Sequence, residues 1–209
     1  MTARVLADDP DGREEAIRVL RGGGVVALPT DTVYGLAVDL ATAGGIDRLF
    51  EVKRRPADRA IVLLLANIEQ ARDIAGWPPT ADRLAARFWP GGLTLVLPRR
   101  AEDDLPDPLT AGRPTIGVRL PDHDCPRTLA RGLGPLPVTS ANLSGLPAAV
   151  DAQQVHSQLG ESIDLVLDGG PSRGGLASTV VDCTGDEVRV LRAGAVPEPE
   201  ILAATRELG

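Results

Sequence analysis

At 209 residues and 43% hydrophobic content, the chain is long enough to bury one core and short for two. Its formal charge of −7 counts against a protein whose main work is gripping a nucleic-acid backbone, and no apolar run approaches the about 20 residues of a membrane helix. The N-terminal MTARVLADDPDGREEA is polar and acidic, without a secretory signal, and Cys125 and Cys183 lack the short spacing of a metal or redox motif, so a cytoplasmic protein with reduced thiols is expected.

In chain order, DGREEAIRVLR (11–21) has helical spacing with Asp11 as a candidate cap, and the three glycines that follow end it. VVALP (25–29) reads as a buried strand, and TDTVYGLAVDL as a loop entering a second. GGIDRLFEVKRR places Ile46, Leu49, Phe50 and Lys53 at helical intervals, with Pro56 as the stop. Strands are expected at 61–66 and 93–98, with a helix at 79–88 between them. Residues 99–114 read as a polar, proline-rich surface loop. TIGVRLP (115–121) alternates as a strand does, a helix covers 124–132, and LPVTSAN ends a short strand in a polar turn. A helix at 151–159 precedes three strands, IDLVLD, STVVDC and VRVLR, with GGPSRGG between the first two, and a tail with one short helix closes the chain. Helices and strands interleave, but the last two strands follow each other directly. That predicts an α/β fold with a mixed sheet, organised as a single domain over 1–209 with a core of about 11–193 and a tail at 194–209.

Polar turns collect after apolar strands or a helix: Pro29 to Tyr34, Lys53 to Arg59, and Thr139 to Gly145. In open α/β sheets ligands gather at strand ends, where backbone donors and side chains converge. There is no GxxxxGK[ST] and no GxGxxG after a strand, and the two histidines, His123 and His156, are far apart. His123 reads as a loop residue before a helix and His156 as an exposed helix residue. Hydroxyls, an amide and cations remain, which suit phosphate and a zwitterionic amino acid better than nucleophilic catalysis. Of the 22 lysine and arginine residues only Lys53 is a lysine, so a compact ammonium is a candidate requirement there, against chance survival or a solvated helix end.

Seven blocks occur in order: PTDTVYGLAVD (29–39), LFEVKRRP (49–56), FWPGGLTLVL (88–97), TIGVRLP (115–121), PVTSANLSG (137–145), ASTVVD (177–182) and VRVLRAGAV (188–196). Together they resemble the YrdC/TsaC family of threonylcarbamoyl-AMP synthases, in its short form without a further C-terminal domain. The resemblance implies a twisted mixed α/β sheet flanked by helices, with a concave ligand cavity. It implies a nucleotidyltransferase that turns ATP, bicarbonate and L-threonine into threonylcarbamoyl-AMP, pyrophosphate and water. Partner proteins then transfer the threonylcarbamoyl group to tRNA; a weak tRNA contact and no membrane are expected. Carried over by position, the resemblance puts Thr32, Arg119, Val138 and Ser178 at the threonine, Val138 through its backbone. Arg55, Arg59, Thr115, Ser140, Asn142 and Arg192 are assigned to ATP. Lys53 and Arg55 become the catalytic pair, stabilising charge on the departing pyrophosphate together with Mg²⁺ carried in on the ATP phosphates. No protein residues are assigned to the metal. The sequence departs from the family pattern at Arg59, Ala60, Ile61, Leu64 and Ala148, so no side-chain contact is expected from Leu64 or Ala148. Each residue also has a plainer role: Thr32 as a turn cap, Ser140 and Asn142 as braces of their own loop, Arg119 and Arg192 as exposed strand residues. Two other functions fit such a fold: a double-stranded RNA or ribosome-binding module, and an enzyme forming carbamoyl-adenylate.

Overall fold

The structure, a computed structural model, describes residues 2–54, 60–100 and 105–206. The elements follow as β1 (Arg4–Ala7), α1 (Pro10–Arg21), β2 (Val26–Leu28), β3 (Gly35–Ala37), α2 (Gly45–Lys53), β4 (Val62–Leu64), α3 (Ile68–Ile74), α4 (Pro79–Phe88) and β5 (Leu93–Pro98). Then come α5 (Asp107–Thr110), β6 (Thr115–Arg119), α6 (Asp124–Leu133), β7 (Leu136–Ser140), α7 (Ala152–Leu159), β8 (Leu165–Asp168), β9 (Thr179–Asp182), β10 (Arg189–Arg192) and α8 (Glu198–Arg206). All ten strands join one sheet in the order β1-β8-β2-β3-β7-β4-β6-β5-β9-β10. It is mixed, as expected: β1, β8 and β2 run parallel, as do β4 with β6 and β5 with β9, while β9 and β10 pair antiparallel.

The two faces of the sheet are filled differently. Along β2, Val26 and Leu28 face a cluster with Ala16 and Leu20 of α1 and Leu129 and Ala130 of α6, whereas Val25 and Ala27 belong to the cluster that holds Ile46, Leu49 and Phe50 of α2 and Val155 of α7. This alternation is the period of two that a sheet covered on both faces demands. Leu64 and Val138 belong to the α1–α6 side, and there the sheet also lines a cavity.

Three elements differ from the sequence reading. Arg4–Ala7 is a strand ahead of the expected start of the core; it pairs only with β8 and is mostly exposed, so it lacks a buried strand's apolar alternation. Ile68–Ile74 is a helix capped by Asn67, whose side chain accepts from the Gln70 N–H. Within the expected loop at 99–114, Asp107–Thr110 forms a helical turn that buries Leu109 and Thr110. The segment expected as a tail is packed on the sheet. Thr179 Oγ1 donates to Val196 O (2.7 Å) and accepts from Val196 N (2.9 Å), and Ile201 of α8 is fully buried.

Candidate active site

A cavity of about 390 Å³ opens on the sheet, within the range of small-molecule sites. Val62 and Leu64 of β4, Arg119 of β6, Val138 of β7 and Gly35 of β3 form its floor. Gly35 must be glycine there, because a Cβ would stand 2.6 Å from Val138 Cγ1. Most of the rest of the lining comes from Thr30, Thr32, Val33 and Tyr34 after β2, from the end of β7 and the turn that follows (Ser140, Asn142, Ser144, Gly145), and from Ala177 and Ser178 before β9. Lys53 and Arg192 enter from the ends of α2 and β10.

Hydrogen bonds divide these groups into two sets. In the first, Lys53 is 3% exposed, and its Nζ donates to Ser140 O and to Asn142 Oδ1 (3.0 Å). Ser140 Oγ donates to the same Asn142 oxygen at 2.6 Å, and Asn142 Nδ2 donates to Leu143 O and Leu146 O. Ser144 N in turn caps the Lys53 carbonyl at 3.2 Å. The end of α2, where Arg54 takes a left-handed φ of 50°, is thereby locked to the turn after β7. A cation at a helix C-terminus also meets a favourable dipole.

The second set surrounds Arg119, which is buried. Its Nε donates to Gly91 O (2.9 Å), Nη1 to Thr32 Oγ1 (2.9 Å) and Nη2 to Asp31 Oδ1 (2.6 Å). The protons near Thr32 can be followed one by one. Thr30 donates its hydroxyl proton to Val33 O (2.6 Å), so in the 3.0 Å contact between the two threonines Thr32 is the donor. Thr32 Oγ1 already accepts from Arg119, which leaves it one acceptor site for a ligand's N–H or O–H. Arg192 donates from Nη2 to Ser178 O (2.7 Å) and Oγ (3.1 Å), and Ser178 Oγ lies 2.8 Å from the fully buried Thr94 Oγ1. Burial lowers the pKa of both arginines. Asp31 opposes this at Arg119, and the positive charge of Arg119 adds to it at Arg192. The buried Arg119 and the partly desolvated head of Arg192, which is otherwise exposed on the edge strand, share a single ion-paired carboxylate and so favour an anion between or beside them. Tyr34 also lines the cavity. Its phenol, pushed up to about 12 chiefly by burial, donates to Gly170 O at 2.8 Å and ties the GGPSRGG loop to this wall.

The structure therefore brings Thr32, Lys53, Arg119, Val138, Ser140, Asn142, Ser178 and Arg192 to one cavity. Thr115 stands at the opposite end of β6 from Arg119, across from Pro98, and is not among the lining residues. Arg55 and Arg59 lie outside the described residues. Leu64 joins the floor as an apolar wall, and Ala148 does not reach the lining. Asp31, Thr30 and Thr94 escaped the sequence reading. The signal for Thr94 was present, a hydroxyl in the middle of the apolar run LTLVLP; Asp31 differs in no way from a solvated turn acid until its partner is seen.

The model of the Sua5/YciO/YrdC family, described as telomere recombination, matches residues 18–194. The chain belongs to this family. Among its members, the putative threonylcarbamoyl-AMP synthase of Mycobacterium tuberculosis is 36% identical over 208 residues, covering 96% of this chain and 94% of that protein. The threonylcarbamoyl-AMP synthase of Bacillus subtilis is 38% identical over 97% of this chain, which spans 59% of that longer protein. Among solved structures, Sua5 of P. abyssi complexed with L-threonine superposes with a TM-score of 0.90 at 36% identity, over 99% of this chain and 61% of that one. E. coli YciO gives 0.81 at 28% identity, over 92% and 96%. The mixed-sheet fold expected from the resemblance is thus that of the family. Among the described residues no helix is long and apolar enough to cross a membrane.

Proposed function

We propose that this protein is a cytoplasmic L-threonylcarbamoyladenylate synthase that forms threonylcarbamoyl-AMP, pyrophosphate and water from ATP, bicarbonate and L-threonine. The observation that carries this reading is the pairing, on one cavity, of an arginine–hydroxyl set with a lysine–serine–asparagine set, in a chain 36% identical to the threonine-complexed relative. The arginine–hydroxyl set suits a small zwitterion: Arg119 meets the carboxylate, and Thr32 and Ser178 offer oxygen atoms to its ammonium or hydroxyl protons. The lysine–serine–asparagine set suits the nucleotide, with Lys53 toward the phosphates and Ser140 and Asn142 around the adenylate; Arg192, bonded to Ser178, and Arg55 are further candidates for the nucleotide. Thr115 and Arg59 are the remaining candidates on the nucleotide side. Val138 contributes backbone contacts to threonine.

The chemistry needs positioning more than a protein nucleophile. The amine must meet bicarbonate or CO2 to give a carbamate, and the carbamate oxygen must then attack the α-phosphorus as pyrophosphate leaves. Burial of the lining keeps water from a carbamate that decomposes in it. No acid lies among the described lining residues, so Mg²⁺ fits here as a partner of the nucleotide phosphates, where it neutralises their charge. The product, a mixed anhydride, then passes to proteins that transfer the threonylcarbamoyl group to tRNA.

The test is product analysis by mass spectrometry beside pyrophosphate release, omitting one substrate at a time. Pyrophosphate is expected only with ATP, threonine and bicarbonate together. Release at the full rate without threonine would remove the assignment.

A further inference from the structure

Arg119 sits in the floor of the cavity, while Asp31, its ion-pair partner, is not among the lining residues and stands behind it. Both side chains are nearly buried, at 6% and 11% exposure, and their contact is 2.6 Å. The guanidinium has five N–H groups, and three are committed to Gly91 O, Thr32 Oγ1 and Asp31 Oδ1. One N–H on each terminal nitrogen remains, and two such groups are what a carboxylate takes up when it binds a guanidinium in a fork.

We propose that Asp31 is a positioning residue: by fixing the guanidinium of Arg119 from behind, it turns the remaining fork toward the cavity as a preformed receptor for the carboxylate of the amino-acid substrate. This rests on the proposed synthase function for the identity of the substrate, but not for the arrangement of the two side chains. Asp31 is itself held rigidly. The GGPSRGG loop closes on it, with Gly175 N donating to Thr32 O at 2.9 Å. At Gly174 a Cβ would lie 2.8 Å from Asp31 O, so the loop can press directly on this backbone. Asp31 also supplies charge. Burial and the nearby Arg192 both oppose a cation at position 119, and the adjacent carboxylate offsets them before any substrate arrives. Arg119, Arg192 and Asp31 together carry one net positive charge, which a single carboxylate neutralises. The neutral amide of Asn at position 31 would keep the shape and one acceptor, but would release the fork and leave the guanidinium uncompensated.

The experiment compares the full chain as wild type, Asp31→Asn and Asp31→Glu in steady-state pyrophosphate release, with a thermal melt of each. In Asp31→Asn the KM for threonine is expected to rise about tenfold or more, the effect of removing a group that orients a binding side chain. The KM for ATP should stay within about twofold, because a specific loss of substrate binding leaves the other substrate untouched. Asp31→Glu, which restores the charge one methylene further out, should fall between the two. An unchanged threonine KM in Asp31→Asn, or an ATP KM that rises in step, overturns the proposal. If Asp31→Asn melts below the assay temperature, Asp31→Glu decides: a raised threonine KM at constant ATP KM supports the role, and no change overturns it. Side-chain NMR of ¹⁵N-arginine-labelled protein, with Arg119→Lys for assignment, reads the fork directly. The Arg119 Nη protons should rotate slowly in the wild type and average in Asp31→Asn; the same signals in both overturn the proposal whatever the kinetics. If the wild type uses no threonine, the synthase function falls and the NMR measurement alone decides the role of Asp31.

Discussion

A guanidinium at position 53 would have to enter a site where the present side chain is 3% exposed and its amine binds Ser140 O and Asn142 Oδ1. An ammonium approaches each acceptor as a compact point charge, whereas a planar fork needs more room and another geometry. Lys53→Arg is therefore expected to lose about 1–3 kcal/mol of stability by overpacking. It should lose at least about tenfold in turnover, equivalent to about 1.4 kcal/mol, and bind ATP more weakly because the turn at 140–145 shifts. Melting curves, ATP titration and pyrophosphate release check the three effects; a normal melt with normal turnover would make these bonds dispensable. The lone lysine drew attention to this position, and the structure buries it on the cavity, which excludes the solvated helix end that the sequence left open. Thr94 gives a second residue-level expectation. Its buried hydroxyl is 2.8 Å from Ser178 Oγ, and Thr94→Val removes one hydrogen bond worth about 0.5–1.5 kcal/mol. If Ser178 binds threonine, the threonine KM should rise about two- to tenfold with the ATP KM unchanged. Equal shifts in both would mean that Thr94 merely supports the strand.

Helix α6 carries an unusual cap, and it makes the fold sensitive to acid. His123 occupies the N-cap, and its Nδ1 accepts from Cys125 N at 3.2 Å, a bond that only an unprotonated nitrogen can accept. Burial pushes this imidazole below its ordinary 6.5, outweighing the attraction of Asp8 and Asp31, while Arg13 and Arg173 add to the shift. The unfolded chain therefore takes up the proton first as pH falls. The stability is fully present above about 6.5 and is lost as pH drops toward the lowered folded value. Between pH 7 and pH 5 the wild type should lose more melting temperature than His123→Asn, which keeps an acceptor at the cap without titrating. Parallel losses in the two proteins would relieve His123 of this role. From the sequence His123 was legible as a residue before a helix; its use as the cap was not, because Asp122 and Asp124 on either side are better cap formers by composition. The same limit explains the missed elements. Helix α3 had its signal in Asn67 and Gln70, but seven residues with only Ala71 buried give little periodicity to read. Strand β1 is an edge with mostly exposed side chains, and pairing with the distant β8 creates it. The interior strands β4 and β5 were legible because burial on both faces leaves nearly continuous apolar runs, and β6 was legible from its alternation.

At the scale of the molecule, the chain returns to the cavity wall after the last strand. Arg192 ends β10, and the next residues run against the start of β9, just after Ser178: Ala195 N donates to Ala177 O at 2.9 Å, and Val196 exchanges hydrogen bonds with Thr179. Gly194 lies so close that a Cβ would be 2.2 Å from Ala177 O and 2.6 Å from the Ser178 carbonyl carbon. The segment then anchors itself through α8, where Ile201 is fully buried beside the apolar core of the sheet. Such a layout separates two functions that would be confounded in a loose tail, and two substitutions tell them apart. Ile201→Ala removes anchoring bulk far along the segment and should cost about 2–5 kcal/mol of stability, while kcat and both KM values measured well below the melting transition stay near those of the wild type. Gly194→Ala removes nothing from the core, but it forces backbone apart at Ala177 and Ser178, the wall that Arg192 grips through Ser178 O. It should therefore lower kcat/KM for threonine at least about tenfold, a displacement effect of the size that misplacing reacting groups produces, with a smaller loss in melting temperature than Ile201→Ala. Normal kinetics in Gly194→Ala would mean that the segment yields away from the site instead of pushing into it, and Ser178 would then owe its position to Thr94 and Arg192 alone.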